Sequence, residues 1–324
     1  MKSRTIKNNS RPGIPLTRMI FHLVICSLAL AGSVTGSMLE IPEQWEYSAP
    51  LVAPEPRTKD PSYSQKDPTV VFFEGRWHVF MTVKLPERSA IEYISFERWE
   101  EADSAPRHLL EVSESDYFCA PQVFYFEPHE KWYLVYQVGM EGSRFMWVAF
   151  STTSDISDPD SWTQAYLFIT SLNGKMWRLW TDLNTFPYGF RDFQLALEGP
   201  FYEASHTYRV QGKQQYLTLV EEGGVRHFKA YTADRLDGEW TPLADTFENP
   251  FAGKANIQAA PGVTPWTDNI SHGELIRNGY NQKLEMYPSD WEFLFQGVWE
   301  HEKPKDDYGK IPWRLGLLKP VSTP

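Results

Sequence analysis

Cysteine is almost missing from this chain. Among 324 residues there are two, Cys26 and Cys119. Cys26 falls in an apolar run near the N-terminus that reads as a removable leader. Cys119 would then stand alone, and an intrachain disulfide is excluded. Stability must come from core burial, which a chain of this length can supply. Positive charge is also short. There are 31 Lys and Arg against 42 Asp and Glu, a net charge of −11. Phosphate backbones need a basic face, so this balance argues against nucleic acid as a partner. Helical periodicity is weak throughout, and no low-complexity linker follows Ser37. Spacings for a zinc protease, an EF-hand, a phosphate loop or a Gly-x-Ser-x-Gly nucleophile are missing as well, which leaves those chemistries unsupported.

Aromatic residues are abundant instead: 13 Trp, 16 Tyr and 20 Phe, or 15% of the chain. Most suit the interior of a β-rich fold. A handful would be free to stack on sugar rings.

The first residues carry Lys2, Arg4, Lys7, Arg11 and Arg18, then an apolar run from Met19 to about Ala31, then small residues from Gly32 to Ser37. That order is expected of a secretory signal peptide. The run is short and contains His22, which counts against a membrane anchor. The expectation is a leader over 1–37, cleaved near Gly36 to Met38, and one secreted, extracellular domain over 38–324.

Apolar segments then recur in pairs. Val70–Phe73, a Glu74-Gly75 turn and Arg76–Met81 form one pair. Gln122–Phe126 and Lys131–Tyr136 flank Glu127–Glu130. Tyr202–Val210 and Gln215–Val220 flank Gln211–Lys213. Each reads as a β-hairpin. A late copy is expected from Lys283–Met286 with Trp291–Phe295. Even spacing of such hairpins points to radial repetition, a β-propeller; a jelly-roll sandwich is the alternative.

Two acidic residues sit in these apolar segments. Asp67 lies in Lys66-Asp67-Pro68-Thr69-Val70, and Glu203 in Tyr202-Glu203-Ala204. Asp-Pro at a strand entrance also serves turn initiation, and a strand-edge Glu is commonly solvated. A carboxylate beside a buried strand nevertheless costs free energy unless something compensates it. A pair of carboxyl groups is the machinery of glycoside hydrolysis, one acting as acid and one as base. Lys66 would favour the ionised form that a base needs. Phe201 and Tyr202 could desolvate an acid at Glu203. Asn269-Ile270-Ser271 is a formal glycosylation sequon.

Several segments together resemble family 62 of the glycoside hydrolases, the α-L-arabinofuranosidases acting on arabinoxylan. They are Lys66–Val71, Ala120–Phe126, Ser151–Asp155, Tyr202–Ala204, Gln215–Leu217, Asn249–Asn256, Ile270–Arg277, Phe293–Gly297 and Leu315–Leu318. Their order matches the family from about residue 43 onward. Pro250-Phe251-Ala252-Gly253-Lys254-Ala255-Asn256 and Ser271-His272-Gly273 are the specific ones.

The resemblance implies an all-β fold, a five-bladed β-propeller with its site at the central channel. It also implies an inverting mechanism, with Asp67 as general base and Glu203 as general acid. Lys66 matches a lysine that contacts the arabinose, and His272 a histidine associated with bound Ca2+. Trp313 stands where the family has a tyrosine and would stack on substrate. Arabinoxylan or an arabino-oligosaccharide is the implied partner, with a monomer as the working form. The family's third carboxylate lies in a segment that has no counterpart here, because Ser161–Ala165 runs directly into Tyr166–Ile169. Asp155, Asp158, Asp160 and Asp182 are nearby but fall outside its motif. A propeller that binds xylan-type polysaccharide with impaired catalysis is therefore the alternative function.

Overall fold

The computed structural model describes residues 39–143, 146–170, 176–199 and 202–321. The expected leader, with Cys26, lies outside them. Among the described residues the regular structure is strands and four short 3₁₀ turns.

Strand β1 (Trp45–Tyr47) comes first in sequence but belongs to the last sheet. The first full sheet is an antiparallel meander of β2 (Ser64–Phe73), β3 (Arg76–Lys84), β4 (Ser89–Phe96) and β5 (His108–Leu109). At its first turn Glu74 and Gly75 both adopt positive φ, 49° and 80°. Two such central residues match the right-handed twist of the flanking strands. The second sheet repeats the pattern with β6 (Phe118–Phe126), β7 (Lys131–Gly139), β8 (Met146–Thr153) and β9 (Tyr166–Thr170). Next come β10 (Met176–Trp180) and β11 (Arg191–Leu197), which pair only with each other. Then follow β12 (Tyr202–Val210), β13 (Gln215–Glu222), β14 (His227–Ala233) and β15 (Thr241–Ala244). The remaining strands are β16 (Ile257–Ala259), β17 (Asn269–Leu275), β18 (Glu285–Met286), β19 (Phe293–Val298) and β20 (Arg314–Pro320).

The last sheet runs β17-β19-β20-β1-β16. Strand β1 therefore lies beside the C-terminal β20, and the two ends of the domain are hydrogen-bonded in one blade. Trp45 anchors this closure. It is fully buried, donates from Nε1 to the Phe251 carbonyl at 2.6 Å and meets Phe251 edge-on.

The all-β propeller expectation holds, and the three early hairpins are found where the apolar pairs placed them. Two expectations need correction. Among the described residues there are four blade-sized sheets, with a two-stranded ribbon in sequence between the second and third. The described residues between Thr170 and Tyr202 supply two strands, where each full blade uses four or more. The late hairpin is also absent. Strand β18 joins the edge of β12 in parallel, while β19 pairs with β17 and β20.

Aromatic and aliphatic side chains fill the space between sheets. One buried cluster joins Trp45, Tyr208, Phe228, Phe251, Phe293 and Phe295, and another joins Phe80, Phe118, Trp132 and Tyr136. Buried acids are each compensated. Glu92 meets Arg57 and Arg107, and Glu274 meets Arg277, the Thr69 hydroxyl and the Val70 amide.

Candidate active site

Each of the four large sheets has a bulged strand at a common cavity. The ladder of β2 slips between Lys66 and Thr69, that of β6 between Cys119 and Gln122, that of β12 between Glu203 and His206, and that of β17 between Ser271 and Gly273. Three of these bulges hold a residue with left-handed backbone: Asp67 at φ 49°, Ala120 at 54° and Ala204 at 48°. Such backbone costs of order 1 kcal/mol or more per residue and concentrates at functional sites. In a regular strand, neighbouring side chains point to opposite faces. The bulges suspend that rule. Lys66, Asp67 and Pro68 line one cavity in succession, as do Tyr202 through His206. That cavity, about 800 Å³, also takes in Tyr117, Cys119, Gln122, Arg226, His272 and Tyr308.

Asp67 is buried, and its amide donates to Gln296 Oε1 at 2.7 Å. Its carboxylate Oδ1 lies 3.6 Å from His272 Nε2. The other ring nitrogen of His272 is 3.0 Å from Glu221 Oε2. Glu221 is fully buried and accepts from Arg226, from the Ser271 hydroxyl at 2.9 Å and from the His272 amide at 2.8 Å. Arg226 Nη1 reaches on to Glu203 Oε1 at 2.8 Å. Gln296 closes the set by donating to the Ser271 hydroxyl at 3.1 Å. The expected base and acid thus share one cavity and are joined through His272, Glu221 and Arg226.

The charges follow from this contact order. Burial opposes a charged imidazole at His272, but Asp67, Glu221 and Glu203 outweigh it and hold the ring cationic up to about 9. Burial likewise pushes Glu221 up, and the His272 and Arg226 cations overcome that and pull it to about 2. Burial lowers Lys66, yet Asp67 and the Tyr308 phenol reverse the sign and keep it an ammonium. Its Nζ sits 5.0 Å from the Tyr308 ring centroid. Burial and the nearby Asp67 push the Cys119 thiol up to about 12, so it is a neutral wall of the cavity.

Gly273 is required beside His272. A Cβ there would lie 2.5 Å from the Leu294 carbonyl oxygen and 2.7 Å from the Phe293 ring. Only glycine lets β17 approach β19 closely enough to hold His272 in place.

Four of the five expected site residues come together here: Lys66, Asp67, Glu203 and His272. Trp313 does not. It is 0% exposed and packs with Val298 and Ile311, with Lys303 and Arg226 at 5.5 and 6.0 Å from its ring. An indole has no second polar end to place in water, and this one serves the core. Tyr308 supplies the aromatic surface at the cavity instead. Asp155 and Asp158 cap local turns, and Asp182 pairs with Arg191, so none of them reaches the cavity. The Asn269 sequon is tied down: its amide donates to Asp268 and Glu300, and its oxygen accepts from Lys303.

Glu221, Arg226, Gln296 and Tyr308 were not singled out by sequence, and Ser271 was noted only as part of a motif. One signal existed for Glu221. It ends the apolar run Leu217-Thr218-Leu219-Val220 in a hairpin with Glu203, directly opposite it in register.

The sequence matches glycosyl hydrolase family 62 over residues 45–165 and 163–319. The chain is 36% identical over 314 residues to alpha-L-arabinofuranosidase C of Cellvibrio japonicus, across 87% of this chain and 48% of that protein. It therefore spans about half the length of that curated relative. Among solved structures, it resembles the catalytic domain of the Coprinopsis cinerea family 62 alpha-L-arabinofuranosidase. The identity is 35%, with 86% of this chain and 96% of that one covered and a TM-score of 0.77. The Podospora anserina alpha-L-arabinofuranosidase, solved with cellotriose, is 31% identical at TM-score 0.76, covering 86% and 96%. A family 62 hydrolase solved with xylotriose is 34% identical at 0.75, covering 85% and 96%. Family 43 hydrolases at 12–13% identity share the fold alone. This chain belongs to glycosyl hydrolase family 62.

Proposed function

We propose that the protein is a secreted α-L-arabinofuranosidase that removes arabinofuranosyl side chains from arabinoxylan or arabino-oligosaccharides with inversion. One observation carries this reading: Asp67 and Glu203, on the opening strands of two sheets, face one cavity of about 800 Å³. Asp67 takes the proton of a water that attacks the anomeric carbon. Glu203 gives its proton to the oxygen leaving toward xylose. Lys66 offers an ammonium to sugar hydroxyls, and Tyr308 a ring face. His272 and Gln296 hold Asp67 in place from two sides.

Calcium belongs to the same reading. Glu203, Glu221 and His272 each offer a ligand atom within 4.8 Å of the others. Carboxylates suit this hard cation. Held by Glu221 and His272, it would add positive charge behind the cavity, compete with Arg226 for Glu221 and require loss of a proton from His272, with Glu203 left to carry the acid's proton.

The test is incubation of the purified protein with arabinoxylan and chromatography of the released sugars. Arabinose alone is the expected product, and proton NMR of the first product should show the inverted anomer. Release of xylose or of no sugar sinks the assignment. Monomeric state and export follow from the same proposal. Sedimentation and the N-terminal residue of the exported protein check them.

A second reading is favoured by the ribbon β10–β11. Where a blade would stand it provides two strands, and among the described residues no third carboxylate lines the cavity beside Asp67 and Glu203, since Glu221 is fully buried behind it. Loss of one transition-state contact commonly costs several kcal/mol. Under this reading the protein binds xylan-type polysaccharide and turns it over slowly. Retention on arabinoxylan without sugar release would establish it.

A further inference from the structure

The short ribbon leaves a groove that the reaction does not use. It measures about 980 Å³ and lies between β10–β11, the Ser205 and Thr207 positions of β12, and the Leu236–Trp240 segment. Its walls are largely apolar. Trp177 and Trp180, on β10, are 38% and 45% exposed. A large exposed aromatic surface on a protein of this size marks a contact site.

The polar groups around these indoles are arranged rather than random. Trp180 donates from Nε1 to Asp192 Oδ2 at 2.7 Å, and the Arg191 guanidinium lies 3.6 Å from its ring centroid. One hydrogen bond and one stacked cation thus fix the plane of this indole. Arg178 donates to the Gln194 side chain and to the Leu236 carbonyl at 2.7 Å. Arg191 is paired with Asp182, and Asp237 with Arg235. Arg191 and Asp237 are thus ion-paired within the protein, Arg178 and Asp192 are held by neutral partners and offset each other in sign, and the surface that remains suits an uncharged ligand. Rigid indole faces edged by carboxylate, carboxamide and guanidinium groups fit pyranose rings, which have apolar C–H faces and hydroxyls at their edges.

The groove adjoins the catalytic cavity across β12. Ser205 lines both, two residues from Glu203. In β12 the bulge turns Glu203, Ala204 and His206 to one side, and Thr207 faces the other. A polymer lying across β12 would touch both.

We infer that the groove bounded by Trp177, Trp180 and β12 is a second carbohydrate site, which holds the uncharged β-1,4-linked pyranose backbone of the polymer while a side chain is cut at Asp67 and Glu203. The choice of polymer rests on the proposed function; the site itself rests on the groove.

The experiment compares the full chain with Trp177→Ala/Trp180→Ala. Binding to soluble arabinoxylan and to xylohexaose is measured by affinity electrophoresis and calorimetry, in an Asp67→Asn background so that substrate persists. Hydrolysis of a small 4-nitrophenyl arabinofuranoside is measured in the active background. The expected result is polymer binding weakened about tenfold or more, as for loss of aromatic anchors elsewhere, with small-substrate turnover within about twofold. Both indoles are solvent-facing, and an unchanged melting temperature confirms folding. Trp177→Phe/Trp180→Phe should restore part of the binding. Equal polymer affinity in the two proteins overturns the inference. So does a change in self-association with no change in polymer binding, which would make the groove a contact between copies. Tryptophan-dependent polymer binding without any hydrolysis would support the groove and reject the proposed activity. Hydrolysis of the small substrate without Trp-dependent binding would do the reverse.

Discussion

Glu203 and Glu221 lie directly opposite each other across the β12–β13 ladder and share one guanidinium, that of Arg226. Arg226 offsets the buried charge of Glu221 and holds the Glu203 carboxyl beside it. Removing it leaves Glu221 fully buried, with His272 its remaining cation. Breaking a buried pair from one side costs about 3–5 kcal/mol. Arg226→Met should therefore lower stability in urea by about that amount. Glu221→Gln in the same chain should recover part of the loss, because the uncompensated charge goes with it. The double-mutant cycle checks this: additive losses would show that the two residues do not act as a unit.

Asp67→Asn and Glu203→Gln keep the shape of each side chain and remove its proton chemistry. General acid or base catalysis contributes about 10²–10⁴-fold. Turnover of arabinoxylan should drop by at least that factor in either variant, with melting curves close to wild type. Azide should rescue neither in the manner of a covalent intermediate, since none forms in an inverting reaction. Wild-type turnover in either variant would remove that residue from its role.

Much of this was legible in the sequence, for identifiable reasons. Val70–Phe73 with Arg76–Met81, and its two counterparts, combine apolar strands with turn residues a few positions long, so the hairpins could be read locally. The blade count could not. It depends on how many strands lie between Thr170 and Tyr202, and exposed residues on β11 show no alternation to reveal it. The site was half visible. Asp67 and Glu203 stood out as charges in apolar runs. Gln296 and Ser271 are ordinary polar residues whose importance comes from contacts 229 and 50 positions away, with Asp67 and Glu221. Trp313 misled because an aromatic residue in a matching segment carries no sign of which way it faces. The neighbours Val298 and Ile311 decide that, and they are distant or apolar.

Calcium binding has a direct thermal signature. An ion that binds the folded state alone stabilises it by mass action, with RT ln(1 + [L]/Kd). Differential scanning fluorimetry in EDTA and in rising calcium should show a saturable rise in melting temperature. His272→Ala should abolish the rise. In Arg226→Met it should begin at lower calcium, because the competing guanidinium is gone. A melting temperature indifferent to calcium in all three proteins would remove the ion from the proposal.

Closure of the ring through β1 can be tested away from the cavity. Trp45 is buried among Phe251 and Trp291, and its Nε1 holds the Phe251 carbonyl. Trp45→Ala should cost about 3–5 kcal/mol. For a domain of this size each kcal/mol lowers the melting temperature by about 2–4 °C. A fall of roughly 6–20 °C is thus expected, while KM on small substrates below the new transition stays unchanged. A loss of activity at temperatures where the variant is folded would mean that β1 also shapes the cavity.

His78 sets part of the acid limit. It is buried on β3, and its Nδ1 lies 2.8 Å from the Tyr93 hydroxyl. Burial is the main cause that lowers its pKa from 6.5 to about 4, with Arg76 adding repulsion. The folded protein thus keeps this ring neutral down to about 4, whereas the unfolded chain takes up a proton near 6.5. Between those values the unfolded state binds more protons, so stability falls as pH falls. The contribution is fully present above 6.5 and gone below about 4, and amounts to at most about 3 kcal/mol. His78→Gln should weaken the protein at pH 7, because packing against Phe73 is lost. Between pH 6.5 and 4, however, its unfolding free energy should decline less steeply than that of the wild type. Urea titrations at half-unit pH steps measure both slopes, and equal slopes would place the acid sensitivity elsewhere.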